Sequence, residues 1–155
     1  MAEAQKDYKH IIRVINTDLD GSKKVSHALQ KIKGVGFVMS NAVCAFSKVP
    51  NDKKAGFMTP DEVARLEKVL KNPVDSGIPA WMLNRRKDYE TGEDIQLLGA
   101  DLKFQVENDI KMLKKIKSNV GMRHAWGLPV RGQSTKSNFR KKKGKTSLGV
   151  KRKKK

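Results

Sequence analysis

The separation of charges is the feature that most constrains this chain. Its 155 residues include 34 Lys+Arg and 16 Asp+Glu. Residues 111–155 hold 17 of the basic residues and no acidic one, whereas residues 1–110 hold the other 17 and all 16 acidic residues. A segment without carboxylates cannot neutralise itself and stays extended until a polyanion screens it. The sequence therefore predicts a nearly neutral body followed by a cationic, nucleic-acid-binding tail.

The rest of the composition excludes several classes of protein. No apolar run approaches the roughly 20 residues that span a bilayer, and residues 1–7 are too polar for a signal peptide. The single Cys44 excludes an internal disulfide and a cysteine-based zinc site. His10, His27 and His124 lie far apart in sequence, without a nearby Cys or paired carboxylate. We therefore expect a cytoplasmic, non-enzymatic protein with no catalytic residue, metal, cofactor or membrane partner.

Hydrophobic spacing predicts a mainly α fold. A β-prone run at 11–15 ends in a turn-like stretch at 16–21. Helices with apolar stripes are expected on both sides of Lys33-Gly34-Val35-Gly36, and Ser22 is expected to cap the first of them. Thr59-Pro60-Asp61-Glu62 has the residue types of a helix start, with a capping residue, a proline at the first helical position and a Glu three residues after the Thr.

These elements divide the chain into four segments. Residues 1–72 are expected to form an N-terminal helical domain with a helix–hairpin–helix turn, followed by an irregular connecting segment at 73–100. Asp101 is expected to cap one long helix over 101–120. Residues 121–155 lose helical periodicity and are expected to form an extended basic RNA-binding tail.

The hairpin turn is the first candidate site. Gly34 and Gly36 let the backbone double back between two helices, so that the amides of the second helix face a phosphate beside Lys33. The alternative is a plain tight turn between two core helices. The basic composition favours phosphate binding, but the motif does not distinguish DNA from RNA.

The polar run at 131–138 is the second candidate site. Arg gives bidentate contacts to phosphate or guanine, while amides and hydroxyls bond sugars and phosphates. The alternative is a disordered polar tail, and the lack of acidic residues favours binding. The candidates here are Arg131, Gly132, Gln133, Thr135, Lys136 and Asn138, with Arg140 beyond them.

Two further places contain suitable side chains. Arg85 and Arg86 lie in the glycine-rich middle of the chain, near Trp81 and Tyr89. They suit a nucleic-acid contact, although a solvated surface is nearly as good an interpretation. His124 follows Arg123 at the start of the basic tail, and an RNA contact is its best functional interpretation.

Taken in order, five segments resemble one family, the small-subunit ribosomal protein S-thirteen family, whose eukaryotic members are called S-eighteen. The run from Leu83 to Asp94 is similar to its archaeal branch in particular. The segments are Ile12-Arg13-Val14-Ile15, Ile32-Lys33-Gly34-Val35-Gly36, Trp81-Met82-Leu83-Asn84-Arg85-Arg86-Lys87, Gly121-Met122-Arg123-His124 and Gly127-Leu128-Pro129-Val130-Arg131-Gly132-Gln133.

The resemblance implies both an architecture and a place in the cell. The fold would be a helix–two-turn–helix N-terminal domain, a long helical protrusion and an extended basic C-terminal tail. The protein would be a structural constituent of the head of the small ribosomal subunit, bound to small-subunit rRNA. It would contact a neighbouring head protein and large-subunit components at the subunit interface, and reach toward peptidyl-site tRNA. RNA contacts would fall on Lys33, Gly34, Gly36, Arg123, His124, Arg131, Gly132, Gln133, Thr135, Lys136 and Asn138.

Two positions depart from the family pattern. Members often carry arginines directly after the second hairpin glycine, where this chain has Phe37-Val38. Ser134 stands where a basic residue is common. The competing class is a DNA-binding or repair module, because the hairpin unit also occurs in repair glycosylases. Such enzymes need a nucleophile or general base in a pocket, and no such set of residues can be assembled from this sequence.

Overall fold

A computed structural model describes residues 8–136 of the chain. The chain divides into two compact units, Met1–Phe104 and Gln105–Lys155. The mainly α fold class is confirmed. Two antiparallel strands precede the helices, and short 3-10 turns lie at Ala55–Phe57 and Ala80–Met82. The strands are β1 Ile11–Val14 and β2 Thr17–Asp20, and the helices are α1 Val25–Leu29, α2 Phe37–Ser47, α3 Pro60–Lys71, α4 Gly99–Lys115 and α5 Asn119–Trp126.

The first unit begins with a tight β-hairpin. Ile12 pairs with Leu19, and the chain reverses at Ile15 and Asn16, whose φ angles of 44° and 55° are both positive. Positive φ at both central residues is what the most favoured two-residue hairpin turn requires. The expectation of a turn over 16–21 is therefore wrong, because residues 17–20 form the second strand. Leu19, only 1% exposed, directs that strand into the core.

Helix α1 is shorter than the sequence predicts. It ends at Leu29, and Ile32, although fully buried, lies in the turn that follows. Ser22 does not cap the helix, because its amide and its hydroxyl both donate to Asp20 Oδ1, at 3.0 and 2.7 Å. The N-cap is Lys24, which provides no side-chain hydrogen bond. Burial of Val25, Ala28 and Leu29, together with that of Ile32, fixes this region, so tertiary packing replaces the missing cap.

Helix α3 begins as predicted. The Glu62 amide donates to Thr59 Oγ1 at 3.3 Å, and the Thr59 amide donates to Glu62 Oε2 at 2.8 Å, which completes a reciprocal capping box. Lys53 Nζ also lies 2.6 Å from Glu62 Oε2. Partial burial raises the pKa of Glu62, but the hydrogen bonds from Lys53 and the Thr59 amide outweigh it and hold this pKa below its ordinary value. The helix ends at Lys71, before Pro73 as expected.

The prediction of one long helix over 101–120 is wrong. Helix α4 begins at Gly99, so Asp101 lies in its first turn, and it ends at Lys115. Lys117 then takes a left-handed conformation with φ of 56°, and Ser118 caps a separate helix, α5. Residues 121–126, expected to belong to an extended tail, are helical. The apolar spacing continues through the break, which is why periodicity did not show it.

Cys44 is fully buried in α2, and burial raises the pKa of its thiol to about 11. Within residues 8–136, no helix combines the length and the apolar character needed to cross a bilayer.

Candidate nucleic-acid interface

The turn between α1 and α2 is held by a distant segment. Gly34 has φ of +99°, and a Cβ built on it would lie 2.4 Å from the carbonyl oxygen of Leu97. Gln96 Nε2 donates to the Gly34 carbonyl at 2.8 Å, and the Gly99 amide donates to the Lys33 carbonyl at 2.8 Å. Gly34 is therefore required by close backbone packing, because a side chain would displace residues 96–99.

The second glycine of the turn, Gly36, leaves the N-terminus of α2 without a side-chain cap. Gly36 is the N-cap of α2, with open space around its Cα, no side-chain cap and no acidic residue in the first turn. Among residues 8–136, the amides of Phe37, Val38 and Met39 have no hydrogen-bond acceptor. Lys33 is exposed in the same turn. Unpaired amides at a helix N-terminus attract anions, so this end of α2 has the chemistry to hold a phosphate.

Arg85 and Arg86 differ in their surroundings. Arg85 Nε lies 2.6 Å from Asp88 Oδ1, and the guanidinium lies over the Tyr89 ring, 5.6 Å from its centroid. The hydrogen bond from Arg85 lowers the pKa of Asp88. Arg86, by contrast, is exposed. The structure therefore gives Arg85 internal partners and leaves Arg86 directed to solvent.

In the second unit, the backbone after α5 folds back on the helix. The Leu128 amide donates to the Arg123 carbonyl at 2.9 Å, and Gly127 takes a left-handed conformation with φ of 68°. Arg123 Nε donates to the Pro129 carbonyl. Arg123 and His124 are each partly buried on the last turn of α5. The bond to Pro129 fixes the Arg123 side chain and leaves the rest of its guanidinium for another acceptor.

Residues 131–136 are all exposed. Gly132 has φ of 72°, and the Arg131 amide donates to Gln133 Oε1 at 3.2 Å. The backbone of this short turn therefore fixes the Gln133 side chain. Thr135 and Lys136 follow it. Asn138 and Arg140, also predicted to bind RNA, lie outside the described residues.

The predicted residues thus form two groups on separate units. Lys33, Gly34, Gly36, Arg85 and Arg86 belong to the first unit, and the residues from Arg123 onward belong to the second. Among residues 8–136, no three His, Cys, Asp or Glu side chains are grouped as a metal site requires.

The sequence did not indicate the residues that support the turn between α1 and α2. Asn84 Nδ2 donates to the Leu97 carbonyl at 2.8 Å, and the Leu97 amide returns a bond to Asn84 Oδ1 at 2.9 Å. Gln96 reaches the turn across 62 positions of sequence. A single sequence gives no indication of a contact at that separation.

Comparison with known proteins gives consistent matches. The family model described as Ribosomal protein S13/S18 matches residues 13–141. Small ribosomal subunit protein uS13 of Methanocaldococcus jannaschii is 50% identical over 149 residues, which cover 96% of this chain and 97% of that protein. Its namesake in Methanopyrus kandleri is 49% identical over 152 residues, covering 97% of this chain and 99% of that protein. The namesake in Methanothermobacter thermautotrophicus is 44% identical over 150 residues, with the same two coverages.

These matches confirm the resemblance to the archaeal branch and the prediction of a non-enzymatic protein. The family model covers both groups of candidate residues, from the β-hairpin to the basic run after α5. Since the relatives also match along nearly their whole length, the chain belongs to the ribosomal protein S13/S18 family, whose members are structural constituents of the ribosome.

Proposed function

We propose that this chain is a structural constituent of the small-subunit head and binds small-subunit rRNA through both groups of residues. The observation that carries the proposal is the exposed run 131–136, which lies within the segment 111–155 that has no acidic residue. Proteins named as small ribosomal subunit proteins match this chain along nearly their whole length. Phosphate neutralisation with counterion release would supply the affinity.

The first unit would position the RNA backbone. A phosphate would accept hydrogen bonds from the free amides at the start of α2, next to Gly36, while Lys33 adds a charge. The close approach of Gly34 to Leu97 would keep this end of the helix in place. Arg86 would contact phosphate directly, and Arg85, paired with Asp88, would hold the loop that presents it.

The second unit would supply most of the cationic contacts. Arg123 and His124 lie on α5, and residues 131–136 are exposed and carry polar groups able to bond phosphate and sugar. We propose contacts by Arg123, His124, Arg131, Gly132, Gln133, Thr135, Lys136, Asn138 and Arg140.

The further partners follow from the family resemblance. They are peptidyl-site tRNA, a neighbouring protein of the head and large-subunit components at the subunit interface. The proposed location is the cytoplasm, bound to ribosomes.

The salt dependence of RNA affinity tests the RNA-binding role. A full-length variant with glutamine at the 12 Lys and Arg positions of residues 131–155 should lose most of the dependence of affinity on salt. Each phosphate contact contributes roughly 0.7–0.9 to the slope of log K against log salt. The measurement is binding of a small-subunit rRNA head fragment over a range of KCl concentrations.

Control variants carry glutamine at exposed lysines of the first unit, Lys48, Lys68 and Lys71. They should change the slope little. An unchanged slope in the tail variant would mean that residues before Arg131 do the binding. Sedimentation of lysate in low magnesium tests the assembly: the protein should travel with small subunits through a moderate-salt wash, and retention at the top of the gradient would contradict the proposal.

A further inference from the structure

Trp81 is held on the surface by a rigid backbone. Its side chain is 68% exposed, the highest value among the large hydrophobic residues at 8–136. Ile78 before it and Leu83 after it are buried, at 2% and 6% exposure. The 3-10 turn Ala80–Met82 between them is closed by the Met82 amide donating to the Pro79 carbonyl at 3.0 Å. The fold thus fixes the backbone and leaves the indole in solvent, where an apolar side chain gains nothing for stability.

Two cations lie beside the indole. Trp81, Arg86 and Lys87 line one cavity of about 370 Å³ with Ala80 and Asp94. Arg86 and Lys87 are exposed, and neither forms an ion pair with another of the described residues. Because neither side chain is ion-paired within residues 8–136, both charges can contact an anionic ligand.

The loop that carries these cations is itself ordered by hydrogen bonds. The Arg85 amide and carbonyl pair with Ile95 at 3.3 and 2.8 Å. The Lys87 amide donates to Asp94 Oδ1 at 2.7 Å, which occupies one oxygen of the carboxylate in the cavity. The site is therefore largely formed before a ligand arrives, and binding would cost little ordering of the backbone.

The chemistry of this surface favours RNA over protein. Unpaired bases stack on aromatic side chains while neighbouring cations hold the phosphates. Interfaces between proteins are instead depleted in lysine. The second carboxylate oxygen of Asp94 can accept a hydrogen bond from an amino group on a base edge, as acidic side chains do with cytosine.

We propose that the surface formed by Trp81, Arg86 and Lys87, here termed the Trp81 platform, binds an unpaired nucleotide of an RNA strand. The base stacks on the indole, and its phosphate contacts Arg86 and Lys87. The proposal rests on the RNA-binding function proposed above and adds a stacking residue and a requirement for an unpaired base.

The test uses the fluorescence of Trp81 in the full chain. The sequence has two tryptophans, so Trp126→Phe leaves Trp81 as the single reporter. The probe is a mixed-sequence RNA strand of about 10 nucleotides, within the range that single-strand sites accommodate. The same strand annealed to its complement is the matched ligand control. Titrations run at low salt and at about 0.3 M KCl, which suppresses the nonspecific cationic contacts.

Saturable quenching of Trp81 by the single strand, with much less by the duplex, is the expected result. Trp81→Ala should weaken binding at the higher salt by about 5- to 100-fold, while Trp81→Phe keeps most of the affinity because it retains a stacking face. Phe104→Ala removes an aromatic side chain of similar exposure, 63%, and should leave binding unchanged.

Other results separate this proposal from the one it rests on. If the strand binds but Trp81 is not quenched, or is quenched equally by the duplex, the platform is excluded and the RNA-binding function stands. If no RNA binds at any salt, both proposals fail. In assembled subunits, photo-crosslinking of Trp81 to a nucleotide supports the platform, whereas crosslinking to a peptide assigns this surface to a protein partner.

Discussion

The two units differ in where their apolar side chains go. All the buried hydrophobic residues within 8–136 lie at or before Leu98. In residues 105–136 the buried residue is Gly121, while Val106, Ile116, Val120 and Trp126 are exposed. The first unit therefore has a core of its own, and the described part of the second is ordered by local contacts.

Those local contacts meet where α4 and α5 join. Ser118 Oγ donates to the Leu113 carbonyl at 3.0 Å and accepts the Gly121 amide at 3.1 Å. A Cβ on Gly121 would lie 2.2 Å from that same carbonyl oxygen. The comparison shows that the turn between two helices can fix their pairing while the apolar side chains of both helices stay exposed.

The largest expected effect tests whether stability belongs to the first unit. Leu70 is fully buried, so Leu70→Ala should lower the free energy of unfolding by about 2–5 kcal/mol. Ile116 is 65% exposed, so Ile116→Ala should change it by less than about 0.5 kcal/mol. Urea denaturation of both variants measures the contrast. Similar losses would show that the second unit shares a core with the first.

Gly121→Ala should produce a smaller and local effect. The added methyl group meets the backbone at Leu113, and such overpacking costs roughly 1–3 kcal/mol. We expect faster hydrogen exchange of amides in 105–126, with the urea midpoint of the first unit unchanged. Asn119→Ala, at an exposed position of the same helix, is the control and should leave exchange as it is. A fall in the urea midpoint would contradict the prediction that the effect is confined to residues 105–126.

The smallest effect concerns pH. The pKa of Glu62 is lower in the folded protein than in the unfolded chain, so the unfolded state binds more protons between the two values. The stability that Glu62 contributes is fully present above the ordinary carboxyl pKa. It is lost as the pH falls through the lower pKa that Glu62 has in the folded protein. Glu62→Gln should cost up to about 1 kcal/mol at neutral pH and flatten the acid limb of stability.

Asp61→Asn is the control for that experiment. It removes an exposed carboxylate from the same turn, one that forms no hydrogen bond with the described residues. An acid limb that flattens equally in both variants would assign the effect to helix charge in general rather than to the capping box.

Elements fixed by interactions between neighbouring residues could be predicted from the sequence, and elements fixed by more distant contacts could not. Helix α3 was predicted from start to end because Thr59, Glu62 and Pro73 act within their own turns. Strand β2 was missed because Asn16 to Gly21 consists mostly of turn-forming residues, and the pairing of Leu19 with Ile12 decided the outcome. The break before α5 was missed because Ile116 and Val120 continue the helical period across it.

The candidate site shows the same limit. The open N-terminus of α2 follows from Gly36, which the sequence displays. Gly34 cannot carry a side chain because the carbonyl of Leu97 lies against it. The Arg85 guanidinium is engaged by the carboxylate of Asp88 and the ring of Tyr89. The first of these contacts joins segments about 60 residues apart, and periodicity describes only neighbours along one element.

The buried thiol of Cys44 in α2 can report how often the core of the first unit opens. Since thiolate is the reactive form, a pKa of about 11 and zero exposure keep Cys44 from alkylating reagents while the core is closed. Its rate of modification at neutral pH therefore counts the openings of that core. Because the sequence has no other cysteine, the measurement on the purified protein needs no background substitution.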